Sequence, residues 1–271
     1  MARRLAAAGH RVTVWNRNEP AARALAGNGI TVASTPADAV RGRDVVLSVL
    51  ADGDATRAVL LDAPVVAALR RGCVVCDLGT SGVTAARALA AGLAESGALF
   101  VDTPVSGSVP AVEAGTLLVM AGGAPVAVDA ARGVLGAFAC EVVRVGDVGA
   151  GQAMKLAVNL VVHDLNAALS EALVLAERAG IRPVEAYDVL ERSVVAAPFV
   201  RYKRAAFLDD ATPVAMSLAL VAKDLRLIAE FAASVSASAP VTEAAASAVQ
   251  AACEAGLGAA DMAALRRFLG R

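Results

Sequence analysis

The chain has 271 residues, of which 57% are hydrophobic and 19% are charged, and its formal net charge at pH 7 is -1. This length is enough for one large or two ordinary domains, and the composition is typical of globular proteins. The near-neutral charge gives no reason to expect nucleic acid or an acidic membrane surface as a partner, and without an apolar run of about 18 residues no membrane span is predicted.

The first half of the chain alternates helical and extended segments. Helices are predicted over Ala2–Ala8, Glu19–Gly27, Pro36–Val40, Thr56–Leu60, Val65–Arg70, Val83–Glu95 and Val126–Phe138. Strands are predicted over Arg11–Trp15, Ile30–Ala33, Asp44–Leu50, Cys73–Leu78, Leu99–Asp102, Thr116–Ala121 and Val142–Val145. Strands that alternate with helices predict a parallel, doubly wound α/β sheet.

From Gly151 onward every segment is typical of a helix, and no strand is predicted. The first of these helices is expected from about Gln152 to Ala179, a length of about 40 Å at the standard rise per residue. Glycines break the chain just before it. The sequence therefore predicts an α/β domain over residues 1–148 and an all-helical domain over residues 149–271, with the long helix between them.

A CxxC pair, Cys73 and Cys76, lies within the apolar run CVVCDL. A zinc site would need a second Cys or His pair nearby, and none is present in the sequence around it. We therefore expect buried thiols in a strand and no metal site.

The end of the strand over Arg11–Trp15 has the position at which a dinucleotide-binding fold meets the adenosine ribose. An acidic residue there suits a free 2′-hydroxyl, whereas an Arg suits a 2′-phosphate. Asn16 and Arg17 occupy this position, with no acidic residue before Glu19. The pattern favours NADP over NAD, and an ordinary polar turn with a solvated Arg is equally compatible with it.

The strand and Gly-rich turn that normally precede the first helix of such a fold, and cradle the pyrophosphate, are absent from these residues. No other Gly-rich loop replaces them, since Gly146–Gly151 leads into the second domain. We expect a start placed downstream of the natural one, or a truncated chain. Detection of Met1 as the true terminus of protein from the native source would contradict that expectation.

The segment Asp102–Thr116, DTPVSGSVPAVEAGT, follows a predicted strand and is rich in Pro, Gly and Ser. Such a loop can present backbone N–H groups and hydroxyls to an anion. Ser106 and Gly107 are therefore candidates to bind a carboxylate, with a plain strand-to-helix connection as the alternative. Thr80 and Leu50 follow two other strands at equivalent positions and are candidates for cofactor contacts.

The segment GAGQAMKLAVN, residues 149–159, places Lys155 and Asn159 four residues apart, on one face of an apolar helix. Apart from Asp164 and Glu171 on the far side, the polar residues from Gln152 to Ser170 fall within a sector of about 80°: Gln152, Lys155, Asn159, His163, Asn166 and Ser170. A buried helix with one polar stripe is expected to line a cleft. A Lys against an apolar wall can exchange protons, while His163 either faces that cleft or is a satisfied buried histidine.

Together these residues resemble the β-hydroxyacid dehydrogenase family, which includes 3-hydroxyisobutyrate and tartronate semialdehyde enzymes. The matching segments are VTVWNR, CDLGTSG, DTPVSGSVPAVEAGTL, GAGQAMKLAVN and KDL, in the family's order. The resemblance implies an α/β Rossmann-type N-terminal domain, here without its first strand, joined by a long helix to an all-α C-terminal domain. Two departures are the missing Gly-rich turn and Gly79–Gly82, which lacks the family's usual Pro.

The resemblance implies hydride exchange between nicotinamide C4 and a small 3-hydroxy acid or short semialdehyde. It assigns Lys155 as general acid/base and Asn159 as its neighbour that orients the substrate. It also implies carboxylate binding by Ser106 and Gly107. Further implied cofactor contacts are Asn16, Arg17, Thr80 and Lys223. By spacing alone, Lys223 and Asp224 would form a surface ion pair on a predicted helix over Ser217–Ala233.

Two alternatives remain. An imine reductase of the same superfamily usually carries another residue at the position of Lys155, and a non-catalytic dehydrogenase-like protein would explain the missing Gly-rich turn. The family often forms homodimers or homotetramers through the helical domain. The opening MARRLAAAGH is interrupted too soon for a signal peptide, and a cytoplasmic protein is expected.

Overall fold

A computed structural model describes all 271 residues and divides them into two units, Met1–Lys155 and Leu156–Arg271. The first unit contains every β-strand, and the second is helical, which confirms the predicted combination of an α/β part and an all-helical part. The division falls within the long helix that begins at Ala150, whereas the predicted boundary precedes that helix.

Eight strands form two sheets in the first unit. They are β1 (Val12–Val14), β2 (Ile30–Val32), β3 (Val45–Ser48), β4 (Val74–Asp77), β5 (Leu99–Asp102), β6 (Val105–Ser106), β7 (Leu117–Gly122) and β8 (Ala139–Gly146). β1 and β2 form a separate parallel pair, while the other strands form one sheet in the order β3-β4-β5-β7-β6, with β8 also paired to β7. β3, β4 and β5 run parallel, but β7 is antiparallel to β5 and β6 and parallel to β8.

The larger sheet is therefore mixed, which corrects the prediction of a wholly parallel sheet. The direction reverses between β5 and β7, in the segment that the sequence predicts to be one long loop. It contains β6 and a helix, α7 (Val109–Ala114), which starts beside Pro110 and ends at Gly115 with φ 73°. The Pro and Gly that predict a loop instead begin and end a short helix. Alternation of helices and strands does not encode strand direction, so the sequence pattern could not show the reversal.

Helices and strands of the first unit enclose two apolar cores. The remaining helices here are α1 (Ala2–Ala7), α2 (Glu19–Arg23), α3 (Pro36–Val40), α4 (Gly53–Leu60), α5 (Ala63–Ala68), α6 (Val83–Leu93) and α8 (Pro125–Leu135). Val74 and Cys76 of β4 belong to a cluster with α8, while Cys73 and Val75 belong to a second cluster with α3, α5 and α6. Alternate residues of this central strand thus supply both cores, as is typical of a strand buried on two faces.

The CxxC pair belongs to this buried strand region. Both thiols are 0% exposed. Burial raises the pKa of Cys73 to about 11 and that of Cys76 to about 12. Such thiols are protonated and unreactive at neutral pH, which confirms the expectation of buried strand thiols.

The carboxyl ends of β4 and β5 hold two buried carboxylates, Asp77 and Asp102, which are partners in the strand register. Asp102 Oδ1 accepts a hydrogen bond from the Gly149 N–H, and its Oδ2 accepts one from the Gln152 N–H, both at 2.7 Å. Gln152 lies in the first turn of α9 (Ala150–Arg178), where N–H groups have no partner within the helix. Burial raises the pKa of Asp102, although these backbone bonds oppose the shift.

Glycines permit this close approach of α9 to the sheet. A Cβ at Gly151 would lie 2.5 Å from the Met120 carbonyl oxygen and 2.7 Å from that of Asp102, and one at Gly122 would lie 2.6 Å from the Gly151 nitrogen. Gly149 has φ 94°, in the left-handed region that favours glycine. The glycines of the GAGQ motif therefore serve packing of the helix start against the strand ends.

Asp77 holds the turn that follows β4. The Ser81 hydroxyl donates to Asp77 Oδ2 at 2.6 Å, and the Gly79 N–H donates to Oδ1 at 3.3 Å. Burial raises the pKa of Asp77 to about 6 even though both hydrogen bonds oppose that shift. The turn is thus tied to a carboxyl group that titrates near neutral pH.

Helix α9 runs for 29 residues and ends at Arg178. Gly180 follows with φ 84°, and the Ile181 N–H bonds back to the Ala176 carbonyl, an arrangement that commonly ends helices. By length and composition alone α9 could cross a membrane, which a single such helix indicates only weakly. Polar residues interrupt its apolar run in the sequence.

Most of the polar stripe of α9 is bound within the protein. Gln152, Asn166 and Ser170 are at most 1% exposed. The Asn166 amide donates to the Met262 carbonyl at 3.0 Å, and the Ser170 hydroxyl donates to the Asn166 carbonyl at 2.8 Å. The interpretation that the stripe lines a cleft is therefore wrong for these three residues, because a helical wheel shows a face but not what packs on it.

The second unit adds α10 (Pro183–Arg192), α11 (Pro198–Leu208), α12 (Leu218–Ser234), α13 (Pro240–Ala252) and α14 (Leu265–Leu269) to its part of α9. A buried ion pair ties α11 to the segment before α14. Lys203 Nζ lies 2.7 and 2.8 Å from the two carboxylate oxygens of Asp261, which also accept from the N–H groups of Ala215 and Ala263. The Asp261 carboxylate thus holds the segments around Ala215 and Ala263 against Lys203 of α11.

Substitution of Gly151 by Ala is expected to destabilise the protein by about 2 kcal/mol, because overpacking against backbone atoms typically costs about 1–3 kcal/mol. The same change at Gly133, inside α8 with nothing within 4 Å of its Cβ position, is expected to stabilise by up to about 1 kcal/mol. Urea unfolding of both variants measures the difference. Equal effects of the two substitutions would contradict the close approach at Gly151.

The raised pKa of Asp77 predicts a pH-dependent stability. The folded state holds this proton more tightly than the unfolded chain does, so the free energy of unfolding falls as pH rises from about 4 to about 6. We expect Asp77→Asn to remove up to about 3 kcal/mol of that fall. Exposed Asp62→Asn is the control and should keep the wild-type dependence. Identical pH profiles for Asp77→Asn and wild type, from urea unfolding at each pH, would show that Asp77 does not titrate there.

Candidate functional site

Two of the predicted cofactor residues lie close together at the carboxyl ends of parallel strands. Leu50 follows β3 and Thr80 follows β4, and the two strands end in register at Ser48 and Asp77. A Cβ at Gly79 would lie 2.9 Å from the Leu50 carbonyl oxygen, so the two loops touch where only glycine fits. This edge of a parallel sheet is where α/β proteins bind ligands.

Asn16 and Arg17 lie after β1, in the smaller sheet, and both are exposed. Asn16 Oδ1 accepts a hydrogen bond from the Asn18 N–H at 2.8 Å, which holds the turn as Asn side chains often do. β1 is not hydrogen-bonded to the six-stranded sheet. The structure therefore places these two residues at the end of a parallel strand, on a different sheet from Leu50 and Thr80.

Ser106 and Gly107 lie at the end of β6, which pairs with β7. Ser106 is half-buried and Gly107 is exposed. Gly107 has φ 125°, and a Cβ there would lie 2.6 Å from the Leu117 side chain and 2.9 Å from that of Ala111. Both the backbone conformation and the surrounding space require glycine at this position. The backbone that follows Ser106 is therefore held in a defined conformation.

Lys155 and Asn159 lie one turn apart on α9, as the sequence predicts. Lys155 is half-buried and Asn159 is buried. The Asn159 amide nitrogen donates to Asp224 Oδ2 at 2.7 Å. This bond defines which way the Asn159 amide is turned, because only its nitrogen can donate to a carboxylate.

Asp224 of α12 connects three residues of the second unit. Its Oδ2 binds Asn159 and lies 3.5 Å from His163 Nε2, and its Oδ1 lies 2.8 Å from Lys223 Nζ. Burial alone would raise the pKa of Asp224, but the adjacent His163 and the charge of Lys223 outweigh burial and lower it. Asp224 is thus a buried carboxylate that stays ionised.

The expectation of a surface ion pair at Lys223 and Asp224 is wrong, since the two side chains are 16% and 3% exposed. The role of Asp224 as a partner of Asn159 does not follow from the motifs. A signal is nevertheless present in the sequence: Asp224 continues the spacing of Val221, Leu225 and Ile228, the buried residues of α12, so it lies on the apolar face. A carboxylate at such a position needs polar partners.

His163 is 2% exposed and lies beside Asp224 rather than beside Gln152. The structure places the Asp224 carboxylate next to His163, and this carboxylate also holds Asn159. A wheel places residues on one helix face but cannot name the residue that a second helix brings to it.

Two family models match nearly all of the chain. The model described as the NAD binding domain of 6-phosphogluconate dehydrogenase matches residues 1–146. The model described as NAD-binding of NADP-dependent 3-hydroxyisobutyrate dehydrogenase matches residues 149–269. The two matches meet just before α9, where the α/β sheet ends and the helical part begins.

Glyoxylate/succinic semialdehyde reductase 2, chloroplastic, of Arabidopsis thaliana is 30% identical over 87% of this chain. A probable 3-hydroxyisobutyrate dehydrogenase of Mycobacterium tuberculosis is 38% identical over 70% of the chain. The aligned residues span 66% and 64% of the lengths of these two relatives. The solved structure of Mycobacterium tuberculosis 3-hydroxyisobutyrate dehydrogenase with L-serine has a TM-score of 0.87 and 32% identity, covering 100% of this chain and 94% of that one. The chain belongs to the β-hydroxyacid dehydrogenase family.

Proposed function

We propose that this protein is an NADP(H)-dependent oxidoreductase that transfers a hydride to or from a small 3-hydroxy acid or short semialdehyde. The observation that carries the proposal is the half-buried Lys155, one turn from the Asp224-bound Asn159 on a helix whose start is bonded to strand ends. The relatives' names support the substrate class, since they include glyoxylate, succinic semialdehyde and 3-hydroxyisobutyrate enzymes.

The residues present fit a nicotinamide dinucleotide at the loops that follow the parallel strands. Gly79 allows the loops that carry Leu50 and Thr80 to meet at the ends of β3 and β4, where a Cβ would collide with the Leu50 carbonyl. Arg17 is exposed at the end of β1, where a 2′-phosphate would be bound. Leu50, Thr80, Asn16, Arg17 and Lys223 are the residues we assign to the cofactor. When bound, the nicotinamide supplies or accepts the hydride at its C4 atom.

Lys155 is the proposed general acid/base. In the reduction it donates a proton from Nζ to the substrate oxygen, and in the oxidation it accepts the proton from the hydroxyl. Its positive charge also stabilises negative charge that develops on that oxygen. Asn159 orients the substrate, with its amide held by Asp224. Ser106 and Gly107 bind the substrate carboxylate through the hydroxyl and backbone N–H groups.

The proposal retains two expectations from the sequence: association into a homodimer or homotetramer through the helical part, and a cytoplasmic location. Exposed apolar side chains of that part support self-association, among them Leu175, Val189 and Val241. Sedimentation equilibrium of the purified protein measures the oligomeric state, and a monomer at micromolar concentration would contradict it.

Lys155→Ala is expected to lower kcat by at least about 10²-fold, the usual contribution of a positioned acid/base. Assays would use NADPH with glyoxylate or succinic semialdehyde, and NADP⁺ with 3-hydroxyisobutyrate. Met154→Ala, one residue away on the exposed side of α9, is the control and should retain wild-type turnover. Near-normal kcat for Lys155→Ala, with the fold intact by circular dichroism, would refute the assigned role.

Arg17→Ala is expected to raise the Kd for NADPH about ten- to a hundredfold and to leave that for NADH unchanged, because a charge-assisted hydrogen bond contributes about 1.5–3 kcal/mol. Arg11, exposed at the other end of β1, supplies the control Arg11→Ala. Fluorescence titration gives both constants. A loss shared equally by NADPH and NADH would reject Arg17 as a 2′-phosphate contact.

The same titration tests the proposed function as a whole. NADPH and NADH are titrated into the 271-residue protein. Binding of either dinucleotide, with turnover of one of the trial substrates, supports the oxidoreductase. Binding of neither would contradict it and favour the non-catalytic dehydrogenase-like protein.

A further inference from the structure

Gln152, in the first turn of α9, is bonded to both sides of a single loop. It is 0% exposed. Its Nε2 donates to the Gly79 carbonyl at 2.8 Å, and its Oε1 accepts from the N–H groups of Ser81 and Gly82, both at 3.2 Å. The carboxamide therefore uses a donor and an acceptor on the residues that flank Thr80.

Three backbone polar groups of this loop have the Gln152 side chain as their hydrogen-bond partner. Asp77 holds the Ser81 hydroxyl and, more weakly, the Gly79 N–H, but Gln152 is the acceptor for the N–H groups of Ser81 and Gly82. A buried N–H without an acceptor costs about 1–3 kcal/mol. Removal of the Gln152 carboxamide would thus allow the loop to shift or open on both sides of Thr80.

The backbone of Gln152 is fixed as well. Its N–H donates to the buried Asp102 carboxylate at the end of β5. The backbone position from which the Gln152 side chain extends is therefore fixed. Lys155 lies three residues further along α9, and residues three apart share a helix face. One residue therefore connects the loop that carries Thr80 to the helical turn that carries Lys155.

We propose that Gln152 is a positioning residue that holds Thr80 at a fixed distance from Lys155 and thereby sets both cofactor affinity and the geometry of hydride transfer. This inference rests on the proposed function, since it takes Thr80 as a cofactor contact and Lys155 as the acid/base. Small displacements of reacting groups lower turnover strongly, because orientation contributes much of the rate of an enzyme.

Two substitutions separate the bonds that Gln152 makes. Gln152→Met keeps the length of the side chain and removes all three hydrogen bonds to the loop. Gln152→Glu keeps an acceptor for the Ser81 and Gly82 N–H groups, but its ionised form repels the Gly79 carbonyl, whereas its protonated form can donate to it. Gln250→Met, at an exposed Gln of α13, is the control.

The first readout is amide hydrogen exchange by NMR, which needs no cofactor. In Gln152→Met the protection of the Ser81 and Gly82 amides should fall by at least about tenfold, with the strand amides of β7 unchanged. The second readout is NADPH binding and turnover. We expect about a tenfold rise in the Kd for NADPH and about a tenfold fall in kcat, because a displaced Thr80 would misorient the cofactor relative to Lys155.

The pH dependence of Gln152→Glu provides rescue by protonation. The ratio of variant to wild-type NADPH affinity should rise towards 1 as pH falls from about 8 to about 5.5, because burial beside Asp77 and Asp102 disfavours the charged form of the new carboxyl. Wild-type protein contains the same Asp77 and Asp102, so its NADPH affinity at each pH is the reference for the variant. This variant also keeps the inference testable if Gln152→Met does not fold.

The combined results of hydrogen exchange, NADPH binding and turnover decide between the possible roles of Gln152. Lost protection with lower affinity and kcat, together with rescue of Gln152→Glu at low pH, supports the inference. Lost protection with unchanged NADPH affinity and kcat overturns it and leaves Gln152 as a structural tie. Unchanged protection also overturns it, because the loop then does not depend on Gln152. Wild-type protein that neither binds NADPH nor turns over would overturn both proposals, and the exchange data would still show whether the tie exists.

Discussion

The buried carboxylate of Asp102 at the end of β5 is the contact on which the start of α9 depends. It accepts hydrogen bonds from two backbone N–H groups, those of Gly149 and Gln152, which would otherwise be buried without partners at the helix start. Gly151 and Gly122 allow the backbones to approach closely enough for these bonds. Because an α-helix is stiff, fixing Gln152 in the first turn also fixes the position of Lys155 further along the helix.

Asp77 and Asp102 are neighbours on adjacent strands, and both have pKa values raised chiefly by burial. Their hydrogen bonds go to the Ser81 hydroxyl and to backbone N–H groups, which oppose the shift only in part. Such costly polar groups at strand ends are typical of functional sites, where local stability is lower than the fold would otherwise permit. Here they hold the loop that contains Thr80 and the start of α9.

Asp224, a buried carboxylate of the second unit, has a lowered pKa rather than a raised one. Asp224 is nearly as buried as Asp102, yet its pKa is lowered, because His163 and Lys223 lie against it. A nearby cation favours the charged form by more than burial opposes it. The ionised Asp224 can therefore hold the Asn159 amide in one orientation, which the role proposed for Asn159 requires.

Much of this protein follows from local sequence patterns. Alternating helices and strands, the helical second half, the buried CxxC strand and the placement of Lys155 and Asn159 on one helix face all depend on residues near each other in the chain. These features are predictable because periodicity and turn residues act over short distances. The order of the segments and their motifs also indicate the family, which the two matching family models confirm.

The remainder depends on tertiary packing. The reversal of β7 and the partners of Gln152, His163 and Asn159 all involve groups far apart in sequence, such as Gln152 with Gly79 and Asn159 with Asp224. A helical wheel can place polar residues on one face, but it cannot tell which are bound inside the protein. The sequence by itself determined the family and most of the helices and strands of the first unit. Only the tertiary structure decided which polar groups pair, because pairing depends on distances that local pattern does not encode.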